Sequence, residues 1–114
     1  MVPDSKAELL KGTLDMLILR SLAGQPRHGY GVAQWLEKTS HELLEIEQGS
    51  LYPALYRMEE KGWIQAKWGL TDLNRRAKFY HLTARGRERL AEETAGWGRL
   101  VRAVDLILHP LAES

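Results

Sequence analysis

Apolar residues recur along this chain with two periods, and the change from one to the other marks out the elements. Leu10, Leu14, Leu17 and Ile18 share a face at helical spacing, and Ser5 and Glu8 have capping-box separation. A first helix is therefore predicted from near Lys6 to near Ala23, ahead of Gly24 and Pro26. A second helix opens at Gly29-Tyr30-Gly31, buries Val32 and Leu36 with Trp35 beside them, and ends near Thr39. The acidic stretch His41 to Glu47 shows no clear period. Gln48-Gly49-Ser50-Leu51-Tyr52-Pro53 opens a third helix. Proline lacks an N–H, which only the first helical turn tolerates cheaply, so Pro53 sets the start close to Gly49 or Ser50. Leu51, Leu55 and Met58 make its buried stripe, while Ser50, Tyr52, Pro53, Tyr56 and Arg57 project elsewhere, and Gly62 reads as the terminating glycine.

The period then shortens to two. Ile64, Ala66 and Trp68 alternate with Gln65 and Lys67, giving a strand; Gly69 to Ala77 reads as a polar loop; Lys78 to Leu82 is a second strand with Tyr80 and Leu82 on one face. The hairpin tip carries Arg75, Arg76 and Lys78. Thr83 can cap a last helix, in which Leu90, Thr94, Trp97, Val101, Val104, Leu108 and Leu111 step by 4, 3, 4, 3, 4 and 3. That is a heptad seam, stopped by Pro110 just before its last step. The predicted fold is mainly α with a small β-hairpin. It is a winged helix-turn-helix domain over residues 1–83, followed by a C-terminal dimerisation helix over residues 84–114.

Composition narrows the function without changing this picture. The 114 residues fit one domain, 44% hydrophobic and 27% charged. No cysteine is present, and the four histidines have no ligand spacing, so neither a disulfide nor a metal site is expected. No leader pattern and no apolar run near a membrane-spanning length occurs, so a cytoplasmic protein without membrane association is expected. Paired carboxylates in a pocket-forming context, a nucleophile triad and a phosphate-binding glycine loop are all missing, so neither an enzyme nor a cofactor is expected.

Charge adds more. Residues 57 to 89 hold nine Lys and Arg against four acids, a net of +5, between flanks of −2 each. A basic centre of this kind fits a nucleic-acid footprint, and it equally fits a solvated charged hairpin. The order of elements favours DNA. In helix-turn-helix proteins the second helix of the motif enters the major groove and its N-terminal residues meet base edges. Gln48 can pair bidentately with adenine or merely cap the helix; Ser50 can reach a base or a phosphate. Tyr52 and Tyr56 can meet phosphates and sugars or sit as amphipathic rim, and Arg57, a turn later, suits the backbone. Arg75, Arg76 and Lys78 would hold phosphates or the adjacent minor groove, or stay solvated. Tyr30, Trp63, Trp68 and Tyr80 read as core, with Tyr30 also a candidate contact at the head of its helix. The competing reading is a winged module that binds an acidic protein and not DNA. It leaves the tyrosine and glutamine display unexplained.

Taken together, Gly12-Thr13-Leu14-Asp15-Met16-Leu17-Ile18-Leu19, His28-Gly29-Tyr30-Gly31, Gly49 through Ile64, and Arg75 through Thr83 followed by Gly86 make the chain resemble the PadR family of transcriptional regulators, to about residue 90. The resemblance implies a homodimer that binds palindromic double-stranded operators, represses, and is released by a small-molecule effector. It implies the short form with a single C-terminal helix, and Gly49 and Pro53 join the DNA-facing set through the shared motif. His81 departs from the pattern, in which a basic residue is common. In multidrug-sensing relatives a tryptophan near the position of Trp97 stacks on flat aromatic ligands between subunits. Leu90, Trp97, Val101, Val104 and Leu108 are therefore expected at a dimer interface and possible aromatic-ligand site. Trp97 filling the dimer core is the alternative.

Overall fold

The computed structural model describes residues 13–111. Its elements run α1 (Leu14–Ala23), β1 (Arg27–His28), α2 (Gly29–Thr39), α3 (Gln48–Glu60), β2 (Ile64–Leu70), β3 (Arg76–Leu82) and α4 (Ala84–Leu108). The three strands form one antiparallel sheet in the order β1-β3-β2. The Ser5/Glu8 capping pair and Leu10 lie outside the described residues. Thr13 is the cap of α1 at φ −124°, ψ −9°, so the described helix starts at Leu14, and the expected start near Lys6 also lies outside the described residues.

The core is a single cluster. Ile18, Leu19 and Leu22 of α1, Val32 and Leu36 of α2, Leu51, Ala54, Leu55 and Met58 of α3, Ile64 and Tyr80 meet inside it. The helical stripes read from spacing are the ones that bury, because each amphipathic helix can hide its apolar face only against the others. Ile46 joins this core from the acidic stretch. The Glu37 carboxylate accepts the Ile46 N–H at 2.9 Å and the Ser40 hydroxyl accepts that of Leu44, so the turn between α2 and α3 is stitched back to the end of α2.

Two expectations need correction. Proline was expected in the first turn, but α3 begins at Gln48, which puts Pro53 inside the helix. The carbonyl left without its donor is that of Gly49, an exposed residue, so solvent can serve it. The hairpin is also longer than expected. Its register runs from Ile64↔Leu82 to Leu70↔Arg76, leaving Thr71 to Arg75 as the turn with Asn74 at φ 64°. The β1 strand, which pairs Arg27 with Tyr80 and His28 with Phe79, was not anticipated.

Thr83 caps α4 as expected. Its hydroxyl accepts the Gly86 N–H at 3.0 Å and lies 2.7 Å from the Gly62 carbonyl. Gly86 passes so close to the turn after α3 that a Cβ there would sit 2.1 Å from the Trp63 carbonyl oxygen. The start of α4 is thereby fixed to the body. α4 also packs along α1. Beyond that seat it projects: the Cα radius of gyration is 16.3 Å, against about 13 Å for a compact domain of this size.

Candidate nucleic-acid interface

The exposed side of α3 follows from its buried side. With Leu51, Ala54, Leu55 and Met58 inward, the remaining positions face solvent, and Gln48, Gly49, Ser50, Tyr52, Pro53, Tyr56 and Arg57 are all exposed. Gln48 is the first helical residue, and the cap position falls to Glu47. No neighbour stands within 4 Å of a Cβ built on Gly49, so this end of the helix can approach another surface closely.

The N-terminus of α2 sets the position of Tyr52. A Cβ on Gly29 would meet the Tyr52 ring and hydroxyl at 2.7 Å, so the ring lies against bare backbone. His28 caps α2, with its Nδ1 accepting the Gly31 N–H at 3.0 Å, and its ring lies parallel to that of Tyr30 and edge-on to Phe79. Tyr30 is 57% exposed and Trp68 61% exposed, which overturns the core reading of both. Tyr80 is buried as expected, and Trp63 is partly buried beneath the cations of Lys61 and Arg89. Burial raises the Tyr80 phenol above its ordinary value, helped by the nearby Glu59 charge and then by Tyr52.

Across from α2 and α3 stands the β2–β3 wing. Between them opens a cleft of 720 Å³, lined among others by Tyr30, Tyr52, Trp68, Arg75, Arg76 and Lys78. The three cations face a single carboxylate of the lining, Asp72. The Arg76 guanidinium lies 4.7 Å above the Trp68 ring, an arrangement that stiffens a long cationic side chain on an exposed hairpin. His28, quoted from the sequence only as part of its motif, also lines this cleft, as do Gln34 and Leu73, which the sequence did not single out. The only signal for them was the hairpin's proximity to α2, which depends on β1.

The structure therefore brings Tyr30, Tyr52, Arg75, Arg76 and Lys78 to one concavity, with Gln48, Gly49, Ser50, Pro53 and Tyr56 on the exposed side of α3. Arg57 is elsewhere: its Nη2 lies 2.5 Å from Oδ1 of Asp15 on α1. The second expected group divides as well. Leu90 is partly buried against the chain's own core. Trp97, Val101, Val104 and Leu108 are exposed, and Trp97 borders a hollow of 210 Å³ shared with Met16 of α1 and with Thr13, which caps that helix. Among the described residues no metal-binding group of His, Asp or Glu occurs, and no helix is long and apolar enough to cross a membrane.

Comparison with known proteins places this arrangement. The family model described as the transcriptional regulator PadR-like family matches residues 18–92. A PadR-like transcriptional regulator from Bacillus cereus strain ATCC 14579 is 30% identical, with 91% of this chain and 99% of that one covered at a TM-score of 0.78. A PadR family transcriptional regulator from Eggerthella lenta DSM 2243 is 32% identical, with 91% and 88% covered at a TM-score of 0.77. An uncharacterised protein from Lysinibacillus sphaericus is 27% identical over 106 residues, covering 93% of this chain and 97% of its own length.

Proposed function

The chain belongs to the PadR-like family of transcriptional regulators, and from that membership we propose that it binds palindromic promoter DNA as a homodimer and represses. It is a DNA-binding regulator of the winged helix type. In the proposed complex α3 enters the major groove, Gln48 and Ser50 meet base edges, Tyr52 and Tyr56 meet the backbone, and the wing grips phosphate through Arg75, Arg76 and Lys78. The observation that carries this reading is the continuity of the exposed α3 surface with the cationic wing across one cleft. A partner of acidic protein chemistry would use the wing cations but leave the uncharged α3 display without a role.

The test is selection of bound fragments from a random duplex library, followed by titration of the selected duplex at several salt concentrations. Each phosphate contact contributes about 0.9 to the slope of log affinity against log salt. Replacing Arg75 and Arg76 together by alanine, which removes four arginines from the proposed homodimer, should weaken binding to every sequence and flatten the slope by up to about 3.6. Salt-independent binding by the wild-type chain would overturn the proposal.

A small aromatic effector is proposed at Trp97. The half-exposed indole beside a hollow walled by α1 supports it. Trp97→Ala should weaken dimerisation or abolish the response to flat aromatic compounds while the winged domain stays folded. Unchanged dimer affinity together with unchanged aromatic-ligand binding would sink this part.

A further inference from the structure

We infer that Arg57 is a positioning residue of the recognition helix, held in place by Asp15, and not one of its phosphate contacts. The inference rests on the reading of α3 as the DNA-facing helix and assigns that helix's single cation a different task. In the segment Gln48–Glu60, Arg57 is the only Lys or Arg. Its guanidinium donates to the Asp15 carboxylate at 2.5 Å, joining α3 to α1 across 42 residues of chain.

The geometry of the helix separates Arg57 from the cleft side of α3, while leaving it within about 40° of Ser50 and Pro53 around the axis. At about 100° per residue, Arg57 lies about 140° around the axis from Tyr52. Tyr52 leans toward α2 and the wing cleft, whereas Arg57 leans toward α1 and contributes nothing to the cleft lining. The cations of the cleft come from the wing instead. Asp15, whose side chain is 29% exposed, holds Nη2 of Arg57, so a phosphate would have to share the guanidinium through its remaining N–H groups, and taking it over altogether would leave a bare carboxylate. The pair therefore does two things at once: it partly neutralises the Arg57 cation and fixes the pose of α3 on α1. The same α1 seats α4, and Met16, next to Asp15, lines the hollow at Trp97. Through this ion pair the recognition helix and the C-terminal helix are referred to one common support.

The test compares the selected duplex with a scrambled duplex of the same length, using the full chain and four variants. The readouts are the ratio of the two affinities and the salt slope. For a positioning role, Arg57→Ala and Asp15→Asn should each lower the ratio about two- to fivefold, the range expected of a partly exposed ion pair, with the slope unchanged. Asp15→Glu, which keeps the pair, should hold the ratio near wild type. A phosphate contact gives the opposite pattern: Arg57→Ala flattens the slope by about 1.8, about 0.9 from each subunit of the proposed homodimer, with the ratio preserved, and Asp15→Asn, by releasing the arginine, tightens both duplexes and steepens the slope. That pattern, or a ratio unmoved by Asp15→Asn, overturns the inference. Asp15→Asn leaves every cation and every core side chain in place, so it reads out even if Arg57→Ala folds poorly. Gln48→Ala separates failure of the underlying reading: if it leaves sequence preference unchanged, α3 is not the groove helix, whatever the ion-pair variants do.

Discussion

At the scale of single residues, the contact surface is set by what its neighbours lack. Tyr52 reaches its position because Gly29 offers no side chain. Gly29→Ala would place a methyl 2.7 Å from the ring, and a ring can swing where a backbone cannot. Alanine also suits a helix better than glycine by roughly 0.5–1 kcal/mol, which offsets the crowding. The expected outcome is a thermal midpoint close to wild type with DNA binding weaker by about 1 kcal/mol, the worth of one displaced hydrogen-bonding group. Parallel thermal melts and DNA titrations check it, and an affinity equal to wild type would mean that the Tyr52 pose is irrelevant to binding. Nothing in the amino-acid pattern exposes this dependence, because it joins residues on two helices. What the pattern does expose is chemical type: Gln48, Ser50, Tyr52 and Tyr56 stood out as polar residues between buried ones, and all four are exposed. Arg57 also stood out, but spacing along one helix cannot reveal Asp15 waiting on another.

At the scale of elements, helices were legible and the wing only partly so. The α2 and α3 boundaries follow from period 3.6 and from the glycines that flank it. Strand β1 holds two residues, too few to show any period. Trp68 was read as core because it shares the parity of Ile64, and parity does persist along a strand. Burial does not: Ile64 is buried and Trp68 exposed, since the hairpin has by then left the body and overhangs the cleft. Tyr80 marks the place where β3 is still inside. Its raised phenol means that the unfolded chain ionises first as pH rises through about 10, so the stability it lends is complete below that pH and is lost progressively above it. Between pH 9 and 11, wild type should therefore lose more stability than Tyr80→Phe. Denaturant midpoints measured across that range would show the difference, and parallel losses would contradict the burial argument.

At the scale of the whole molecule, the unbalanced feature is α4. Its 25 residues span about 37 Å, and among the described residues its hold on the body comes from Thr83, Gly86 and Leu90 near its beginning and from its packing on α1. The heptad seam was legible, but a seam does not say whose helix fills it. Leu90 is filled by this chain, while Trp97, Val101, Val104 and Leu108 are left open, flanked by the exposed Leu100 and Ile107. A continuous apolar stripe on a projecting helix is costly in water, and a two-fold partner presenting the same stripe covers it without any new sequence. Val104 lies midway along the open part and is 42% exposed, so a charge there costs the isolated chain little. In a dimer the same charge would be buried and unpaired, which is severe. Val104→Asp should therefore remain folded, sediment as a monomer at concentrations where wild type is a dimer, and lose at least about tenfold in affinity for a duplex with two half-sites. Its binding to a single half-site should match wild type, because the winged domain is untouched. If Val104→Asp sediments as wild type does, the stripe around Val104 is not a dimer interface, and the proposed pairing through α4 fails.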